Sequence, residues 1–173
     1  VITSVQLNFN PWSDNTMLDT DIGNKLGSVS WILHRAGYKQ VFMMGATANF
    51  TGTDIFLYRQ GFDRMWSSTT DRRVDNPAAS IGCYDRDLFP MALEEYKKLS
   101  ASGEPFNLCV RTLDGHPGNG FFPPDGVPYL GLNRRYNMLD ALHNSDIALG
   151  KFLSAIRELP GYENLCVILT TDH

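Results

Sequence analysis

The sequence has no long apolar run, no basic cluster and no paired-cysteine motif, and each absence removes a class of function. No stretch approaches the roughly 20 apolar residues that a membrane-spanning helix needs. Basic residues are scattered: Arg72-Arg73 and Arg134-Arg135 are isolated pairs in a chain of net charge −4, so a nucleic-acid partner is not expected. The three cysteines, Cys83, Cys109 and Cys166, are far apart and odd in number, which gives no disulfide framework. Cys109 and Cys166 lie within apolar runs and read as small core hydrophobes. No internal repeat is visible. There is no initiator Met and no signal peptide, as expected of a chain whose N-terminus has been cut away. No Ser or Thr occupies a recognisable strand-to-helix elbow with a base, so no nucleophile stands out. The triplet Asn49-Phe50-Thr51 matches a glycosylation acceptor, a pattern frequent by chance.

What remains is a chain of 173 residues with an ordinary 43% apolar content, enough for one domain with a core. Residues 1–25 are rich in Asn, Asp, Ser and Thr and form an irregular lead-in. Leu26, Val29, Ile32, Leu33 and Ala36 recur at helical spacing, and Gly37 ends that helix. Residues 40–44 read as a buried strand, 53–60 as a second helix, 61–66 as a short strand or turn, and 67–82 as a loop. A third helix spans 85–100, with Pro90 in its first turn placing the start of the helix proper near Leu88. Residues 106–113 are the next strand. The stretch 114–131, with several Gly and Pro, is a long loop of the kind that often carries function. The longest helical pattern covers 136–159 and stops at Pro160-Gly161. A last apolar run, 165–169, reads as a strand buried on both faces. This alternation predicts an α/β fold with a mostly parallel sheet.

In such sheets ligands bind beyond the carboxyl ends of the strands, and three segments leave there. Asp172-His173 follows the run 165–169; a carboxylate beside an imidazole suits a divalent cation, although strands also simply end in polar residues. Asp114-Gly115-His116-Pro117 follows the strand 106–113; His116 there suits an anionic oxygen or a proton relay, and Asp-Gly alone would make an ordinary turn. Residues 45–53 leave the strand 40–44 with small and hydroxyl side chains that suit a sugar or phosphate, without the Lys or spacing of a phosphate loop; Thr53-Asp54 equally serves to start a helix. His34 and His143 lie within helical patterns and read as structural or exposed.

The ordered pieces Leu33-His34-Arg35-Ala36-Gly37-Tyr38, Gly61-Phe62-Asp63, Thr112-Leu113-Asp114-Gly115-His116, Ser145-Asp146-Ile147-Ala148-Leu149-Gly150 and Asn164 through His173 resemble the sulfatase-like branch of the alkaline phosphatase superfamily. The stretch 83–106 and the Asp-Gly-His segment are most similar to phosphoglycerol transferases, with lipoteichoic acid synthases as cousins. The resemblance runs from about residue 26 to the end. It implies an alkaline phosphatase-like, mostly parallel sheet flanked by helices and incomplete at both ends, the whole of 1–173 being part of one catalytic domain.

The resemblance also implies a chemistry. A Thr hydroxyl attacks a phosphodiester beside a divalent ion (Mn, Mg or Zn), forms a phosphoglycerol-enzyme and passes the group to an acceptor alcohol. Asp172 and His173 match two of the metal ligands, His116 the contact to the phosphoglycerol head group, and Phe50 an aromatic position beside the substrate. The Thr nucleophile and the first acidic ligand belong upstream of this region, so the chain alone is expected to be inactive. Partners would be a phosphatidylglycerol-type lipid head group and a glycan acceptor, on the periplasmic or other extracytoplasmic face of a membrane to which absent segments anchor the parent. Thr47, Asn49 and Thr53 depart from the family's acidic and basic positions. They leave a sulfatase, a phosphodiesterase or a non-catalytic binding relative as alternatives.

Overall fold

A computed structural model of the protein describes residues 27–48, 52–68, 82–116, 120–129 and 137–171. The elements in chain order are α1 (Val29–Arg35), β1 (Lys39–Met44), α2 (Thr53–Arg59), β2 (Arg64–Ser67), α3 (Asp85–Ala101), β3 (Phe106–Arg111) and α4 (Asn137–Arg157), followed by a 3-10 turn at Tyr162–Asn164. The strands form one parallel sheet in the order β2-β1-β3. Met44 lies opposite Ser67 on one side and Arg111 on the other. All three strands therefore end at the same edge.

β1 is the central strand and is apolar along both faces, the pattern of a parallel strand covered twice. Phe42 and Met44 point to one side and pack with Phe56, Leu57 and Phe62. Val41 and Met43 point to the other and pack with Cys83, Leu88, Ala92 and Leu99, with Phe152 of α4 behind them. Helices thus lie on both faces, as the alternation predicts. Gln40 is the polar exception inside this core, fully buried. Its amide donates to the carbonyls of Ser30 and Gly61 at 2.8 Å each and its oxygen accepts from Asn107 Nδ2 at 3.0 Å. One side chain so ties α1, the approach to β2, and β3 around the strand that carries it.

Three expectations are corrected. Residues 165–169 form no strand: they pair with no described residue, and Cys166, Val167, Ile168 and Leu169 are exposed rather than core. An apolar run becomes a buried strand only where a free edge and two covering layers receive it. β3, only half-buried, has β1 as its one neighbour among the described residues. Helix α3 starts at Asp85, three residues before Leu88, so Pro90 sits inside the helix. The strand predicted over 106–113 ends at Arg111, because Leu113 and Asp114 turn their amides to a side chain instead of a ladder. The lead-in 1–25 lies outside the described residues.

Candidate functional site at the carboxyl edge of the sheet

The exits of β1 and β3 and the start of α3 converge at one rim. The Gly45 amide donates to the Arg111 carbonyl at 3.4 Å, and the Cys83 amide donates to the Gly45 carbonyl at 2.9 Å. A side chain at Gly82 would lie 1.9 Å from the Gly45 carbonyl oxygen. Only glycine lets these backbones approach so closely. Cys83, completely buried beneath them, has its thiol pushed up to about 12, by burial first and then by the charges of Asp87 and Asp85. It is a packing residue, not a nucleophile.

The turn that follows β3 is built on a second carboxylate. Asp85, the first residue of α3 and fully buried, accepts from the amide of Leu113 at 2.7 Å and from that of Asp114 at 3.2 Å. The Ser145 hydroxyl of α4 donates to the same carboxylate at 2.7 Å. The chain then folds back, with the His116 amide donating to the Leu113 carbonyl at 2.9 Å and the Phe121 amide to the Asp114 carbonyl at 2.8 Å. Gly120 takes φ +67, and a Cβ there would meet Ala141 of α4 at 2.8 Å, so the return of the loop against α4 requires glycine. His116 ends up exposed at the rim, its ring 6.1 Å from that of Phe121.

Asp114 sits inside this turn. It is fully buried, and neither carboxylate oxygen has a hydrogen-bond partner among the described residues. Its pKa is pushed up to about 8, first by burial and next by the charge of Asp85; the nearby Asp85 amide offsets this only in part. Burial also pushes Asp85 up, but its three donors pull against that shift. At neutral pH burial thus holds the Asp114 carboxyl toward its protonated form.

Of the residues singled out in the sequence, His116 stands at the carboxyl edge as expected. Phe50, Asn49, Asp172 and His173 lie outside the described residues, so their relation to His116 is carried forward as a proposal. Thr53 is buried at the start of α2, in keeping with a helix-initiating role, and Thr47 is half-buried in the preceding loop. His34 is exposed, while His143 packs its ring 5.3 Å from that of Tyr129; both are structural or surface residues, as read. Among the described residues no cluster of three or more His, Cys, Asp or Glu side chains could hold a metal ion. Sequence reasoning missed Asp85 and Ser145. Asp85 looked like an ordinary acidic residue in a helix's first turn, and its partners lie 28, 29 and 60 positions away.

A second concave feature among the described residues is a groove of about 450 Å³ between α3 and α4. It is lined by Phe89, Leu93, Ile147 and Phe152, with Arg86 paired to Asp125, Asn144 holding both the amide and the carbonyl of Val127, and Lys151 also in its lining.

A parallel sheet with helices on both faces makes this an α/β protein, and its solved neighbours make the fold alkaline phosphatase-like. A solved alkaline phosphatase superfamily protein from Vibrio parahaemolyticus superimposes with a TM-score of 0.64 at 29% identity, covering 77% of this chain and 32% of that one. The lipoteichoic acid synthase LtaP of Listeria monocytogenes shares the fold with a TM-score of 0.62 at 20% identity, over 77% of this chain and 33% of that one. The chain belongs to the sulfatase family, whose model matches residues 2–173. Phosphoglycerol transferase I of Citrobacter koseri and that of Escherichia fergusonii are each 28% identical to it over 153 residues, or 82% of this chain. The chain spans only 19% of the length of those relatives.

Proposed function

We propose that this chain is part of a metal-dependent phosphoglycerol transferase that moves phosphoglycerol from a phosphatidylglycerol-type lipid head group to an envelope glycan or polymer, outside the cytoplasmic membrane. The observation that carries the reading is His116, held exposed at the carboxyl rim by a turn anchored to β3, α3 and α4. The similarity to phosphoglycerol transferase I over most of the chain supports the choice of reaction.

In this reading His116 hydrogen-bonds the phosphoglycerol head group and Phe50 packs beside it. Asp172 and His173 hold a divalent ion, Mn, Mg or Zn; one carboxylate and one imidazole fit such an ion chemically, and further ligands come from outside this chain. The ion, when bound, lowers the pKa of a Thr hydroxyl nucleophile and neutralises phosphoryl charge. That Thr is supplied by sequence beyond this chain, so residues 1–173 alone are not expected to turn over. The anchor to the membrane is likewise assigned to sequence beyond this chain; no described helix is long and apolar enough to cross a membrane.

The test uses the full-length protein with phosphatidylglycerol as donor. His173→Ala should weaken Mn2+ binding by roughly 100-fold or more and abolish transfer, since losing even an outer-shell partner typically costs 10–100-fold. Unaltered metal affinity would remove the enzymatic reading and leave a non-catalytic relative. The family match also admits a sulfatase, for which turnover of an aryl sulfate without transfer from phosphatidylglycerol is the distinguishing result.

A further inference from the structure

An exposed side chain on a loop can recognise a ligand only if its backbone is held. The His116 turn is held from an unexpected place. The amides of Leu113 and Asp114, three and two residues before it, donate not to a strand but to the buried carboxylate of Asp85. That carboxylate is fixed by three constraints: it opens α3, it accepts the Ser145 hydroxyl of α4, and the amide of Cys83, two residues earlier, donates to the Gly45 carbonyl at the exit of β1. The two amides and the hydroxyl together supply three donors, and the two oxygens of Asp85 have the lone pairs to accept all of them.

We propose that Asp85 is a positioning residue for the candidate substrate contact His116, acting by gripping the Leu113 and Asp114 amides while Ser145 fixes its own orientation. The proposal rests on the reading of His116 as a head-group contact. An amide in place of the carboxylate keeps the volume but turns an NH2 group toward one donor, so Asp85→Asn releases the turn with little loss of packing. Ser145→Ala removes only the third donor and gives a milder release.

The experiment is a double-mutant cycle in the full-length protein, with a p-nitrophenyl diester of glycerol phosphate as donor and hydrogen exchange of the peptide covering 112–116 as a second readout. Asp85→Asn should speed exchange at Leu113 and Asp114 and raise KM roughly tenfold with a smaller change in kcat, the signature of lost substrate binding. In the His116→Ala background the same change should add little, because both act through one contact. An equal effect of Asp85→Asn with and without His116 would overturn the proposal, as would unchanged exchange at 113–114. If His116→Ala alone leaves KM untouched, the substrate reading of His116 fails and Asp85 is no positioning residue for it; the exchange data then report only whether the carboxylate grips the turn. Should Asp85→Asn not fold, Ser145→Ala carries the same cycle with smaller shifts, and additivity there overturns the proposal equally.

Discussion

At the scale of single residues, the informative feature is a pair of buried carboxyls with opposite solutions to burial. Asp85 collects three donors, whereas Asp114 has none among the described residues and its carboxyl is pushed up to about 8. The sign of the pH dependence follows. The Asp114 carboxyl is raised from an ordinary 3.8 to about 8 in the folded state, so between those values the unfolded chain binds fewer protons than the native one. Its contribution is most favourable below about pH 4, is lost as pH rises, and levels off above about pH 8. Asp114→Asn should therefore gain on the parent steadily from pH 4 to 8, by about 3 °C or more in Tm at pH 8, where each kcal/mol is worth roughly 2–4 °C. Thermal melts of both proteins across that range check it; parallel curves would mean Asp114 is not protonated in the fold. The thiols give a second prediction. Cys166 is exposed while Cys83 is buried with its thiol pushed up to about 12, so maleimide should label Cys166 in the native protein and reach Cys83 only after unfolding.

At the scale of elements, the sheet was legible because apolar runs and glycines mark it. Strand β1 and helices α1, α2 and α4 fall within two or three residues of where periodicity puts them, and the turn after β3 falls where Asp-Gly puts it. Two readings failed for the same reason, dependence on distant groups. The run 165–169 has a strand's composition, but it does not join the open edge of β3 and stays exposed, because no covering layer among the described residues receives it there. Residues 112 and 113 continue an apolar strand in sequence, but Asp85 takes the amides at Leu113 and Asp114 that a ladder would use. Hydropathy also hid Gln40, which looks misplaced in an apolar strand until its three partners are seen. Gln40→Ala should destabilise by about 1–3 kcal/mol by leaving the Ser30 and Gly61 carbonyls unsatisfied. Met43→Ala, at the fully covered centre of β1, should cost about 2–5 kcal/mol through the cavity it leaves. Denaturant melts rank the two, and a negligible loss at Met43 would contradict the doubly covered sheet.

At the scale of the whole molecule, the architecture explains why the candidate site lies at one rim. Parallel pairing brings every strand to an end at the same edge, and the helices covering both faces leave that edge as the place where loops meet. His116 was identifiable there from the strand that precedes it. Its supporting carboxylate was not, since nothing local joins Asp85 to a turn 28 residues on. Val167, Ile168 and Leu169 form an exposed run of consecutive apolar residues. Such surface favours association, and Ile168→Lys should reduce any concentration-dependent oligomerisation of residues 1–173 seen by sedimentation.

The central claim is that His116 and the Asp172-His173 pair face a common cation-centred pocket at this rim. A crystal structure of the full-length protein soaked with Mn2+ and glycerol phosphate, with the ion located by its anomalous signal, tests it most directly. The account predicts Mn2+ bound by Asp172 and His173, with the phosphoglycerol reaching from the ion to the His116 imidazole. An ion held elsewhere, or a His116 ring on the opposite edge of the sheet from that pair, would contradict it.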